Sequence, residues 1–260
     1  MTDSFREKLL KYTKDFYDVL ATKDLDWAVK GFIDISKNVY TISSDTKVIS
    51  KVIELMLFPI LQKFATKNKY KMELSKEQNY YPDITFIKNN KKIALDIKST
   101  YRKDKNTVSG FTLGAFTGYF RDRNSNKNIT FPYNQYHKHY ILGVIYSQNK
   151  KYINEKKMYN LSDIEKISSV IRDFVFIIQE KYLIASDRAG SGNTKNIGSS
   201  VLITDLENGT GPFSKPGIKI FDDFLMNYMT KDMAKMVDLK NPPYHNLSEY
   251  MKYRNIQNVK

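Results

Sequence analysis

The stretch from residue 81 to residue 98 reads Tyr-Pro-Asp-Ile-Thr-Phe-Ile-Lys-Asn-Asn-Lys-Lys-Ile-Ala-Leu-Asp-Ile-Lys, and it constrains the fold more than any other part of the chain. Two strand-like runs flank Asn89 and Asn90, residues that tolerate the positive φ of a tight hairpin turn. A two-residue loop there sets Lys88 opposite Lys91, so paired residue numbers sum to 179. Asp83 and Asp96 share that sum, and a four-residue loop about the same centre keeps the register. The two carboxylates then face each other with Cβ atoms about 5 Å apart. Side chains alternate along a strand, so Lys98 projects from the same face as Asp96. The opposite face carries Ile84, Phe86, Ile93, Leu95 and Ile97, a continuous apolar surface for a core.

Opposed like charges on a sheet cost stability unless something neutralises them. A hard divalent cation does so, and Mg²⁺ typically binds through one or two carboxylates together with waters and phosphate oxygens. A neighbouring amine can steady a hydroxide nucleophile or the charge on phosphorus. The face therefore has the parts for metal-assisted phosphodiester hydrolysis. The competing reading is an ordinary exposed hairpin whose acids are solvated or paired with Lys92 and Lys98.

Composition narrows the field around that hairpin. The 260 residues include 42 Lys+Arg against 28 Asp+Glu, a formal charge of +14, and the surplus favours a polyanion such as nucleic acid or, second, an anionic membrane surface. The sequence has no cysteine, which removes zinc fingers, iron–sulfur sites, disulfide scaffolds and thiol catalysis. At 41% hydrophobic it can bury a full core. The most apolar stretch, 52–61, holds Glu54 and Pro59 and falls short of the roughly 20 residues of a membrane span. A soluble, intracellular protein is expected.

Residues 1–20 carry Phe5, Leu9, Tyr12, Phe16 and Leu20 at helical spacing, which predicts an amphipathic helix. A short strand is expected at 38–43. Asp45 or Thr46 then caps a helix to about Lys67, with Val48, Val52, Leu55 and Leu61 as its apolar stripe and a kink at Pro59. Strands are expected at 70–74, 83–88, 92–98, 140–146 and 174–178, with 182–185 pairing beside the last. Residues 190–199 form a Gly/Ser/Asn loop, and helices are expected at 222–237 and 248–256. Helices around a central mixed β-sheet give an α/β (α+β) class.

Pro82-Asp83 followed by Asp96-Ile97-Lys98 resembles the signature of the PD-(D/E)xK nuclease superfamily. Further segments, in the same order, resemble type II restriction endonucleases of the EcoRV family. They are Ser44-Asp45-Thr46-Lys47-Val48 with Glu54-Leu55, Gln78-Asn79, Asp96-Ile97-Lys98-Ser99-Thr100-Tyr101 and Phe111-Thr112-Leu113-Gly114. Gln135-Tyr136, the run from Ala189 to Gly198, and Asn246-Leu247-Ser248-Glu249-Tyr250 complete the series. The resemblance implies one restriction-endonuclease domain over 1–260, with an EcoRV-like region at 38–260, a catalytic core at about 45–147 and a DNA-recognition segment at about 180–200. Residues 1–37 would be a helical extension outside it.

The resemblance further implies a homodimeric, Mg²⁺-dependent enzyme that cuts both strands of double-stranded DNA at a short palindrome. Asp83 and Asp96 would hold the metal, Lys98 would be the catalytic lysine, and Glu54 an accessory carboxylate of the same metal site. The loop Gly190, Ser191, Gly192, Asn193, Thr194, Lys195 and Asn196 would read base edges in the major groove. Gln78 and Asn79 would lie on the minor-groove side, and Lys47, Ser99, Thr100 and Thr117 near the backbone or the central bases. The loop implies GATATC, cut bluntly. A cognate DNA methyltransferase would belong to the same system, in the cytoplasm of a prokaryotic host.

The residues support the loop reading in part. Gly190 and Gly192 permit close backbone approach, and Asn193 can bond bidentately to an adenine edge. Taken alone, the loop and Gln78-Asn79 are surface turns, and Glu54 is a polar residue on an exposed stripe with Lys47 and Lys51. Arg102, Lys103, Lys105, Arg121 and Arg123 are expected to flank a DNA cleft. The sequence departs from the family at Tyr80 (for His), Lys195 (for Thr), Gly118 (for a hydroxyl residue) and in a shorter hairpin. A basic DNA-binding protein without chemistry, and a repair or junction nuclease on the same core, are the alternatives.

Overall fold

The computed structural model describes residues 4–77, 79–149, 157–188 and 195–256. In chain order the elements are α1 (Ser4–Leu10), α2 (Thr13–Leu20), β1 (Gly31–Ile33), β2 (Asn38–Thr41), α3 (Thr46–Asn68) and β3 (Lys71–Leu74). Then follow β4 (Ile84–Lys88), β5 (Lys91–Tyr101), β6 (Thr112–Ala115), β7 (Tyr136–Gln148), β8 (Met158–Asn160) and β9 (Ile171–Glu180). Last come α4 (Lys181–Ile184), β10 (Asn196–Gly198), α5 (Ile203–Asn208), α6 (Ile218–Asn227), α7 (Lys231–Lys235) and α8 (Leu247–Tyr253). A central five-stranded sheet runs β3-β4-β5-β7-β9, as the α+β expectation requires. No helix among the described residues is long and apolar enough to cross a membrane.

Two compact units divide the chain. One comprises Met1–Lys69, Ser99–Ser109 and Gly143–Phe176, the other Tyr70–Lys98, Gly110–Leu142 and Ile177–Lys260. In the first, the N-terminal apolar spacing is realised as two helices rather than one, with Phe5, Leu9, Tyr12, Phe16 and Leu20 all buried. Phe5 and Tyr12 set their edges against Phe64 of α3, with ring centroids 5.4 and 5.5 Å apart. Asp45 caps α3 as expected, its Oδ1 accepting from the amides of Lys47 (2.8 Å) and Val48 (3.2 Å).

The buried stripe of α3 differs from the expected one. Ile49, Ile53, Leu57, Leu61 and Phe64 face inward, whereas Leu55 is 61% exposed. Two apolar sets one residue apart satisfy helical spacing here. Packing of the longer Ile and Leu chains decides between them, a choice periodicity leaves open.

The same unit carries a small sheet, β1-β2-β8, unforeseen apart from β2. Its side chains Phe32, Ile33, Tyr40 and Met158 are between 46% and 57% exposed, and Ile35 beside it is fully exposed.

In the second unit, an aromatic core gathers Phe213, Phe221, Phe224, Tyr244 and Tyr250, all of them buried. The expected strand at 182–185 is instead the short helix α4. A β-branched and aromatic tetrad does not outweigh the chain reversal that takes Ala185 to its bridge with Ser199. The expected helix at 222–237 is two helices, α6 and α7, broken where Tyr228 adopts extended backbone.

Candidate active site

The β4–β5 hairpin has the expected register. Ile84 pairs with Leu95, Phe86 with Ile93 and Lys88 with Lys91. Asn89 and Asn90 stand at φ +50° and +60°, and two consecutive residues of positive φ are what a type I′ turn requires. Ile84, Phe86, Ile93 and Leu95 are buried on one face, as expected. The other face is not the open surface of an ordinary hairpin, because Thr85, Ala94 and Asp96 are buried too.

Continuing the register by one residue brings Asp83 across from Asp96. Each carboxylate accepts a hydrogen bond from the other strand's backbone: the Asp83 amide donates to Asp96 Oδ1 (3.2 Å), and the Ile97 amide to Asp83 Oδ2 (2.8 Å). Lys98 Nζ lies 3.1 Å from Asp96 Oδ2 and 3.7 Å from Asp83 Oδ2. Lys92 stands elsewhere, over the Phe131 ring at 4.8 Å. The Asp96 side chain is only 5% exposed, against 27% for Asp83 and 26% for Lys98. A buried carboxylate is costly unless hydrogen-bonded and countered, and here backbone amide and ammonium do both.

The pair's oxygen donors fit a hard cation such as Mg²⁺, which takes one or two carboxylates and completes its shell with water. Among the described residues no group of three or more His, Cys, Asp and Glu side chains is gathered to share an ion.

A family model of the restriction endonuclease EcoRV matches residues 23–255. The chain is 38% identical over 240 residues to the type II restriction enzyme EcoRV of Escherichia coli, an alignment that takes in 91% of this chain and 94% of that protein. This chain belongs to the EcoRV restriction endonuclease family. It is a type II restriction enzyme, a site-specific deoxyribonuclease. The solved NlaIV restriction endonuclease covers 98% of this chain, and this chain 91% of that one, at 12% identity and a TM-score of 0.42, too distant a likeness to bear on the site. The family match starts at residue 23, ahead of the collinear motifs.

The other expected site residues of this family member fall as follows. Glu54 lies on α3, ion-paired with Lys51 at 2.7 Å. Lys47 is exposed in the first turn of the same helix. Ser99 Oγ sits 2.7 Å from Ser50 Oγ, and Thr100 is buried. Asn79 is exposed, while Gln78 and the loop residues Gly190, Ser191, Gly192, Asn193 and Thr194 lie outside the described residues. On the loop's C-terminal flank, the Lys195 carbonyl accepts from the Phe116 amide at 3.0 Å, and Asn196 pairs with Ala115. Thr117 precedes a turn in which Gly118 takes φ +57°, which accounts for glycine where a hydroxyl residue was expected.

Three arginines read as cleft residues turn inward instead. Arg102 donates to Ser147 Oγ and the Asp173 carbonyl. Arg121 donates to the Tyr228 carbonyl, and Arg123 pairs with Asp222 at 2.9 Å. Guanidinium groups bridge backbone and carboxylate partners well, and charge alone does not tell such ties from phosphate contacts.

Sequence reasoning missed the residues that back the hairpin. Tyr81, two positions before Asp83, is buried and stacks on Tyr119 with centroids 5.2 Å apart. Its hydroxyl shares a 2.7 Å hydrogen bond with His139 Nδ1. Burial, with Lys181 and Arg123 nearby, pushes the His139 imidazole well below its usual range and keeps it neutral. Burial and the neighbouring Asp96 push the Tyr119 phenol up. Lys181, at the start of α4, is 2% exposed and holds Nζ 4.0 Å from the Tyr81 ring centroid. Nothing local to residue 181 signals this.

Proposed function

We propose that this enzyme is a homodimeric, Mg²⁺-dependent endonuclease that cuts both strands of a short palindrome, with Asp83, Asp96 and Lys98 at the centre of each active site. The single observation that carries this reading is the facing carboxylate pair with Lys98 Nζ within 3.7 Å of both acids. Asp83 and Asp96 hold the cation, and Glu54 serves as an accessory carboxylate. A Mg²⁺ held by Asp83 and Asp96 would supply Lewis-acid activation of the scissile phosphate and of water. Lys98 stabilises the hydroxide that attacks phosphorus. The cross-strand amides of Asp83 and Ile97 keep the carboxylates aimed while substrate arrives.

The remaining residues position DNA. Gly190, Ser191, Gly192, Asn193, Thr194, Lys195 and Asn196 read base edges, Gln78 and Asn79 approach from the minor groove, and Lys47, Ser99, Thr100 and Thr117 meet backbone or central bases. The sequence of the loop favours GATATC with blunt ends. The chain works as a restriction endonuclease in a prokaryotic cytoplasm, beside a cognate methyltransferase that protects host DNA.

Two-strand cutting at a palindrome calls for two copies about a twofold axis. The face of β1-β2-β8 that carries the cross-strand neighbours Phe32, Tyr40 and Met158, all exposed, is suited to a second copy, because monomers rarely leave a large apolar patch uncovered. Phe32→Asp is expected to shift the protein from dimer to monomer in sedimentation.

A plasmid digest with Mg²⁺ tests the central claim. Discrete fragments with sites at one palindrome are expected. Intact but retarded plasmid, or nicking without sequence preference, would count against it.

A further inference from the structure

The buried lysine behind the hairpin has no place in the chemistry assigned above. Lys181 is 2% exposed, yet its charge is met by no hydrogen-bonded carboxylate among the described residues. Its ammonium rests on the face of Tyr81 at 4.0 Å, a cation–π contact. Tyr81 in turn is fixed on several sides. Its amide donates to the Asn128 carbonyl (3.1 Å), its carbonyl accepts from Thr130 (2.8 Å), and its ring stacks on Tyr119. The chain then runs through Pro82 directly into Asp83.

Gly114 leaves room for this arrangement. A Cβ there would stand 3.3 Å from the Tyr119 hydroxyl and 3.8 Å from Lys181 Nζ, and the φ of +102° at Gly114 favours glycine. Burial pushes the Lys181 ammonium down to about 8, with Asp96 the foremost charge opposing that shift and Lys98 adding to it. An ammonium kept in such a place is costly to folding, and a well-packed apolar chain of the same length would be cheaper. A buried charge that costs stability points to a use.

We propose that Lys181 is a positioning residue of the nuclease site, a buried second cation that steadies the Asp83–Asp96 pair from within the protein, through the ring of Tyr81, while Lys98 attends the pair at its solvent side. This inference rests on the nuclease reading above and deepens it. Lys181 is buried behind the hairpin. It offsets part of the charge on Asp96 before a cation arrives, and it holds Tyr81 so that Asp83 stays opposite its partner.

The test is Lys181→Met, which keeps length and removes charge. Single-turnover cleavage with saturating Mg²⁺, duplex affinity without metal, and thermal midpoint are read for it, for wild type and for Asp83→Ala. We expect cleavage to slow at least tenfold in K181M, with duplex affinity unchanged and a midpoint equal to or above wild type. Wild-type cleavage in K181M overturns the proposal alone. Slowing together with a lowered midpoint, or failure to fold, assigns Lys181 a structural role and overturns it as well. If wild type itself does not cut, or Asp83→Ala cuts normally, the nuclease reading falls, and this inference with it.

Discussion

Two lysines attend one pair of carboxylates, and they differ in almost every respect. Lys98 lies within 3.1 Å of Asp96, is a quarter exposed, and sits two residues along the same strand. Lys181 is buried, acts over an aromatic face, and comes from the far end of β9, more than eighty residues on. The first was found from the alternation of one strand. The second emerges only when the tertiary fold brings α4 to Tyr81. Short-range rules disclose the groups set to do chemistry, while the groups that hold them steady come from wherever the fold delivers them.

The largest effect should come from removing what both lysines serve. Asp83→Ala is expected to slow cleavage about a thousandfold, within the range of one positioned catalytic group, in single-turnover assays. Lys98→Met should follow at about a hundredfold, with duplex affinity nearly unchanged, because its role belongs to the transition state. Comparable loss in Lys181→Met would erase the distinction between the two lysines. Near-equality of Lys98→Met and wild type would break it from the other side.

Stability should separate them next. Lys181 is held at about 8 in the fold against 10.5 in a free chain, mainly by burial. Both states are protonated below pH 8, so the full cost of about 3 kcal/mol at most is present there. Between pH 8 and 10.5 the folded protein has released the proton that the unfolded chain still binds, and stability rises with pH on this account. Lys181→Met should therefore gain most over wild type near pH 7 and lose that advantage towards pH 10.5, as followed by urea unfolding. A constant gap across that range would remove burial of charge as the reason. The smallest effect concerns the turn. Asn90→Val places a β-branched residue at φ +60° and should cost about 1–2 kcal/mol in the same unfolding assay.

These contrasts show what the sequence made legible. The hairpin register followed from two residues that accept positive φ and from strand alternation, both local properties. The cap of α3 followed from Asp45 in the same way. Where two apolar sets competed, as on α3, burial chose the one that periodicity left undecided. The inward turn of Arg102, Arg121 and Arg123 depended on carbonyls and an acid distant in sequence, so net charge misassigned them to a surface. The sheet β1-β2-β8 escaped notice because three-residue strands carry too little alternation to register.

The reciprocal hydrogen bonds across the carboxylate pair have a practical corollary. The amides of Asp83 and Ile97 each point at the opposing acid rather than at a carbonyl. Any change in charge at the pair, whether a proton taken up or a cation captured, acts directly on those two N–H groups. In an ¹⁵N-labelled sample they are native sensors of site occupancy, legible before any strand of DNA is broken.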